Sequence, residues 1–201
     1  MELTWHGWSC FRLKGKEAII VTDPYGPSGF TSLSKLSPDI ITVSDRSVPA
    51  PDGPFRVVHG PGEYEVKNVL ITGHPAFLQG RRVGAFYKIE MDELVICHLG
   101  QLKEPLTASQ VEDLSDVDLL LIPVAGEGAS IDAAKAVEVI NLLEPRMVVP
   151  MHFQMGPDGL AGSVAEKFCH EIGQTVAPQP RLAVTKTSLP AEPAVVVLEA
   201  R

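Results

Sequence analysis

The side chains of this sequence that could do chemistry are His6, His74, His98, His152, Asp23, Asp45 and Glu63. Imidazole nitrogen and carboxylate oxygen are donors that zinc and iron accept, so the set suffices in type for one such ion. The competing expectation is structural. His98, in Cys97-His98-Leu99-Gly100, and His152, in Pro150-Met151-His152, stand at strand ends, where backbone or carboxylate groups can satisfy them. Asp23 closes an apolar run before Pro24, which also makes it a good turn former. Glu63 follows the tight turn Gly60-Pro61-Gly62 and is expected in solvent.

Other motifs carry less. Cys10, Cys97 and Cys169 form no CxxC pair, and their odd number argues against a disulfide framework, so each is expected to pack as a small buried hydrophobe. Gly126-Glu127-Gly128-Ala129-Ser130 precedes a well-patterned helix, whose free N–H groups could hold an anion. It lacks the Lys-Ser/Thr end of a phosphate loop, and Ser130 is expected as a plain N-cap.

The elements that must position these groups follow from hydrophobic periodicity. Short apolar, β-branched runs bounded by Gly, Pro, Asp and Ser fill the first half: Leu3 to Trp5, Ala18 to Thr22, Ile40 to Val43, Arg56 to His59 and Val69 to Thr72. A short helix over Ser32 to Leu36 is stopped by Ser37-Pro38. Phe86 to Met91 and Leu94 to His98 form a hairpin turning at Asp92-Glu93. Thr107 then caps a helix over Ala108 to Leu114, and Asp118 to Pro123 is a buried strand. Ser130 to Leu143 is the best helix, with Ile131, Ala134, Val137, Ile140 and Leu143 on one stripe. Arg146 to Met151, a helix over Gly162 to Gly173, and strands over Arg181 to Thr185 and Ala194 to Glu199 complete the pattern. The first strand is expected to continue through Trp8, with His6 and Trp8 on one face. This order suits an α/β four-layer αββα sandwich, two mixed sheets with helices outside, as one domain over residues 1–201.

A formal charge of -8 argues against nucleic acid or anionic lipid as partner, although Arg81-Arg82 makes a local basic spot. No apolar run approaches the roughly 18 residues a membrane helix needs, and no signal-like segment is seen, so a cytoplasmic location is expected.

Together, Leu3 to Phe11, Val21 to Tyr25, Pro61 to Val66, Cys97 to Gly100, Leu121 to Val124 and Val149 to His152 resemble the short, single-domain hydrolases of the metallo-β-lactamase fold, a group distantly related to L-ascorbate-6-phosphate lactonase. The resemblance spans nearly the whole chain. It implies a metal site at one edge of the two sheets, with donors mainly from a Thr/Ser-His-x-His-x-Asp-His loop after an early strand. Here that loop reads Ser44-Asp45-Arg46-Ser47-Val48-Pro49-Ala50. Asp45, Ser47, Pro49 and Ala50 stand at the four ligand positions, Leu78 and Gln101 at two more, and Trp8 at the histidine of the first turn. His152 alone matches a ligand position directly. Asp23 would orient a histidine in active relatives, and Trp8 would plug the space a ligand vacates.

The resemblance therefore implies a degenerate member of the fold without the two-metal site. It is expected to be non-catalytic, to need no cofactor, and to bind an unidentified small molecule or protein, with Trp8, Asp23 and His74 among the binding residues. The alternative is a hydrolase of an ester, lactone or phosphoester using one zinc or iron ion on His152, His98 and Asp45, with His74 nearby. A structural homo-oligomer subunit is the third expectation.

Overall fold

In the computed structural model, residues 1–26, 29–155 and 159–201 are described. The strands and helices, in chain order, are β1 (Glu2–Trp5), β2 (Phe11–Lys14), β3 (Ile19–Thr22), β4 (Tyr25–Gly26), β5 (Gly29–Phe30), α1 (Leu33–Leu36), β6 (Ile40–Val43), β7 (Arg56–His59), β8 (Gly62–Val66), β9 (Val69–Leu78), β10 (Arg81–Met91) and β11 (Leu94–His98). After these come α2 (Ala108–Asp113), β12 (Leu119–Pro123), α3 (Ala133–Leu143), β13 (Met147–Met151), α4 (Val164–Glu171), β14 (Leu182–Ala183) and β15 (Ala194–Val195).

The strands build two mixed sheets of order β14-β1-β2-β3-β6-β7 and β15-β13-β12-β11-β10-β9-β8, with β4 and β5 as a separate antiparallel pair. In the first sheet β3, β6 and β7 run parallel, and in the second β11, β12, β13 and β15 do. The remaining neighbours pair antiparallel.

β3 and β6 are apolar except for Thr22 and Thr42, and period-two alternation sends their apolar side chains to both faces. Ile20 and Ile40 join the main core that draws on both sheets, whereas Val21 and Ile41 join a smaller cluster with Leu36 of α1. Both faces of this sheet are thus covered, which removes the usual polar half of a strand. Tyr87, fully buried on β10, ties the sheets together: its hydroxyl donates to the Val43 carbonyl at 2.7 Å and accepts from Gly60 N–H at 2.9 Å. Tyr87→Phe is expected to cost about 1–3 kcal/mol, since it leaves buried backbone groups unpaired. Urea denaturation checks this, and a loss near zero would show that the hydroxyl does not couple the sheets.

Several local expectations are corrected. β1 ends at Trp5, because Gly7 (φ 88°) and Trp8 (φ 51°) break the pleat, so Trp8 lies in a turn and not on a strand face. The cap of α3 is Asp132, whose carboxylate accepts from Lys135 N–H, and not Ser130. Ser130 instead accepts from Ala125 N–H and closes the preceding loop. α4 begins at Val164, capped by Ser163, two residues later than its pattern suggested. All three cysteines are buried and unbridged, as expected. Among the described residues no helix is long and apolar enough to cross a membrane.

The C-terminal ends of β3, β6, β11 and β13 deliver Asp23, Ser44, His98 and His152, and side-chain contacts join these ends at one edge of the two sheets. Such an edge, beyond the carboxyl ends of parallel strands, is where loops are free to form sites.

Candidate functional site

Two buried polar knots lie at this edge. In the first, Ser9 of the turn after β1 joins both histidines: its hydroxyl meets His152 Nε2 at 2.5 Å, and its carbonyl meets His98 Nε2 at 3.0 Å. Burial pushes both imidazoles down to about 4, with their proximity and the Lys103 charge adding to the effect at His152. They are therefore neutral at physiological pH. Trp8 stands edge-on to the His152 ring at a centroid distance of 5.4 Å, and its carbonyl accepts from His152 N–H. The indole is only half-buried, so it shields His152 without plugging a core.

In the second knot, fully buried Asp23 accepts from Ser44 N–H at 2.7 Å and from Ser44 Oγ at 2.5 Å. Burial nevertheless pushes its carboxyl up to about 7, against the pull of these donors and of Tyr25. Trp8, Asp23 (φ 38°) and His152 (φ 62°) all hold left-handed backbone conformations that cost non-glycine residues energy and that concentrate at functional sites.

Ser44 is pinned between two glycines. A Cβ on Gly84 would collide with the Ser44 carbonyl oxygen, and one on Gly100 (φ 52°) would sit 2.6 Å from Ser44 Oγ. This close approach lets the loop after β6 hydrogen-bond to β10: Ala85 N–H donates to Ser44 O, and Arg46 N–H to Val83 O, both at 2.9 Å. Opposite, the β9–β10 ladder shifts register between Arg82 and Gly84, an irregularity of the kind that re-aims side chains. The result is a cavity of about 460 Å³ whose wall includes Ser44, Arg46, Leu78, Arg82, Gln101 and Lys103.

Residues 2–152 match the Beta-lactamase superfamily domain. The chain belongs to that superfamily. A UPF0173 protein of Pyrococcus abyssi is 26% identical over 86% of this chain and 90% of its own length. A UPF0173 metal-dependent hydrolase of Thermoplasma acidophilum is 25% identical over 76% of this chain and 83% of its own. A Thermotoga maritima structure, assigned as a Zn-dependent hydrolase of the metallo-β-lactamase superfamily, superposes with a TM-score of 0.80 and 30% identity, covering 100% of this chain and 99% of that one. The four-layer fold expected from the sequence is thereby established for this superfamily member.

Superfamily relatives are named for metal dependence, and an ion at this edge would need converging donors. Among the described residues, no three His, Cys, Asp or Glu side chains come together as a metal-holding group. His152 and His98 converge, but each engages Ser9 through Nε2, and the Nδ1 atoms are buried without a hydrogen-bond partner. Asp45 does not complete a triad with them. Its Oδ1 accepts from Ser47 N–H and Oγ in its own loop. Leu78 and Gln101, at two positions where the resemblance implies ligands, line the cavity instead. A divalent ion needs three or four converging donors. The residues described do not fit one.

His74 also stays apart: its Nδ1 lies 3.7 Å from an Asp113 carboxylate oxygen on α2, and it does not line the cavity. His6 meets Thr4 Oγ1, and Glu63 is exposed on β8. Sequence reasoning missed Ser9, Ser44, Arg46 and Lys103 as site residues. Arg46 lay inside the singled-out Ser44 to Ala50 loop, and Arg82 in the Arg81-Arg82 pair, but only the backbone seam between Ser44 and Gly84 brings them together.

Proposed function

We propose that this superfamily member acts by binding a small molecule in the cavity at the sheet edge, without a resident metal ion and without metal-dependent hydrolysis. One observation carries this: the cavity wall holds Leu78, Gln101 and the Ser44 to Ser47 segment, where the family resemblance implies metal ligands, and three basic side chains stand beside them. A metal-free, non-hydrolytic role agrees with the scattered donors of this edge, since chemistry at a metal needs ligands held in one place. The second reading, a hydrolase with a single atypical metal on His152, is favoured by the names of its relatives.

Elemental analysis of protein purified without added metal separates the two. Well under one equivalent of transition metal per chain is expected after mild dialysis, and a chelator should leave the melting temperature nearly unchanged, because no metal-binding free energy is linked to folding. Stoichiometric zinc or iron retained at neutral pH would overturn the reading.

A further inference from the structure

We propose that the cavity recognises a small organic anion, its carboxylate or phosphate head held by Arg46, Arg82 and Lys103 and its apolar body lying against Leu78 and Phe86; this rests on the metal-free binding role proposed above. All three cations line the cavity, and among the described residues none makes an ion pair. In a chain of formal charge -8, three unpaired cations around one concavity are a local reversal of sign. Asp45, the acid in the same wall, is already engaged by Ser47 N–H and Oγ.

The placement of the cations is built and not incidental. Arg46 N–H donates to Val83 O, which sets Arg46 beside Arg82 across the joint between the sheets. The two arginines also line an adjoining cavity of about 190 Å³, so both residues border two concavities. Guanidinium presents paired donors that match the oxygens of carboxylate or phosphate, and lysine adds a third positive charge. The volume, about 460 Å³, falls in the range of small-molecule sites, and an apolar wall with a few convergent polar groups is their usual lining.

Isothermal titration of the metal-analysed protein with phenyl phosphate, phenylacetate, inorganic phosphate and benzyl alcohol tests this. At least one aromatic anion should bind saturably, with benzyl alcohol roughly tenfold or more weaker, because the charge-assisted bonds are then lost. Tighter binding of phenyl phosphate or of phenylacetate identifies the head group, and inorganic phosphate reports whether the apolar wall contributes. The doubly substituted Arg46→Gln, Arg82→Gln protein, changed only at exposed side chains, should lose roughly tenfold or more in affinity, whereas Arg81→Gln, beside the cavity but not lining it, should bind normally.

Equal binding of the neutral alcohol, or equal losses from Arg81→Gln and from the doubly substituted Arg46→Gln, Arg82→Gln protein, would overturn the proposal. So would absence of saturable anion binding in protein shown to be metal-free, and that result leaves the metal-free role standing. Stoichiometric metal in the same sample overturns the metal-free role itself.

Discussion

Replacing Asp23 by alanine is expected to destabilise the protein by about 2–5 kcal/mol, because it leaves two buried donors of Ser44 without an acceptor at a site water does not reach. Asparagine keeps an acceptor for Ser44 N–H and should cost only about 1 kcal/mol. The pair also separates hydrogen bonding from ionisation. Burial lifts the folded-state carboxyl to about 7, above its unfolded value, so the folded protein holds the proton more tightly. That contribution to stability is full below the unfolded carboxyl range and is lost as pH rises through the folded value. His98 and His152 act in the opposite sense: with folded-state values near 4, their contribution is present above the unfolded histidine range and lost as pH falls through the folded values. Urea midpoints of the native protein and the Asp23→Asn variant, taken at about pH 5 and about pH 8, isolate the first effect. The penalty for asparagine should be smaller at the higher pH. A penalty independent of pH would mean that Asp23 stays ionised throughout, with its charge carried by the Ser44 donors.

The second large effect distinguishes the two tryptophans. Trp5→Ala is expected to cost about 3–5 kcal/mol, the range for deleting a large buried aromatic. Its ring is 1% exposed, lies 4.6 Å by centroid from Phe153 and 6.4 Å from Phe11, and its Nε1 donates to the Trp8 carbonyl. Trp8→Ala should cost only about 1 kcal/mol, since a half-buried ring resting on Gly26 and the edge of His152 gives up less contact. The large penalty that a Trp8 plug would have carried thus moves to Trp5. Thermal or urea denaturation of both variants gives the order directly. Equal penalties would show Trp8 to be as deeply packed as Trp5.

Much of this architecture was legible in the sequence because burial writes itself into hydrophobic period. Ile40 to Val43, apolar but for Thr42, and Leu119 to Pro123 are buried at every position because both faces are covered, and Thr107 at the N-cap marks the start of α2. The residue types at the positions where the resemblance implies ligands, Pro49, Ala50 and Leu78 among them, were legible too, and they underlie the proposed metal-free role. What stayed hidden depends on backbone direction. Gly7 and Trp8 leave the pleat through left-handed conformations, which no alternation pattern encodes, so alternation does not give the face of Trp8. Asp132 displaced Ser130 as cap because Ser130 was taken up by the loop before it, a competition between two good capping residues that spacing alone does not decide. The meeting of Arg46 and Arg82 arises from a contact between the loop after β6 and β10, far apart in sequence.

The Ser44–Arg46 segment, hydrogen-bonded to Val83–Ala85 and seated against a residue that must lack a Cβ, does not behave as a hinged lid. A ligand bound as proposed would meet a main chain already held by these hydrogen bonds. What remains to be immobilised is the outer reach of Arg46, Arg82 and Lys103, at about 0.5–1.5 kcal/mol for each side chain ordered. Binding as proposed would then cost the ordering of three side chains, and not the opening and closing of a loop.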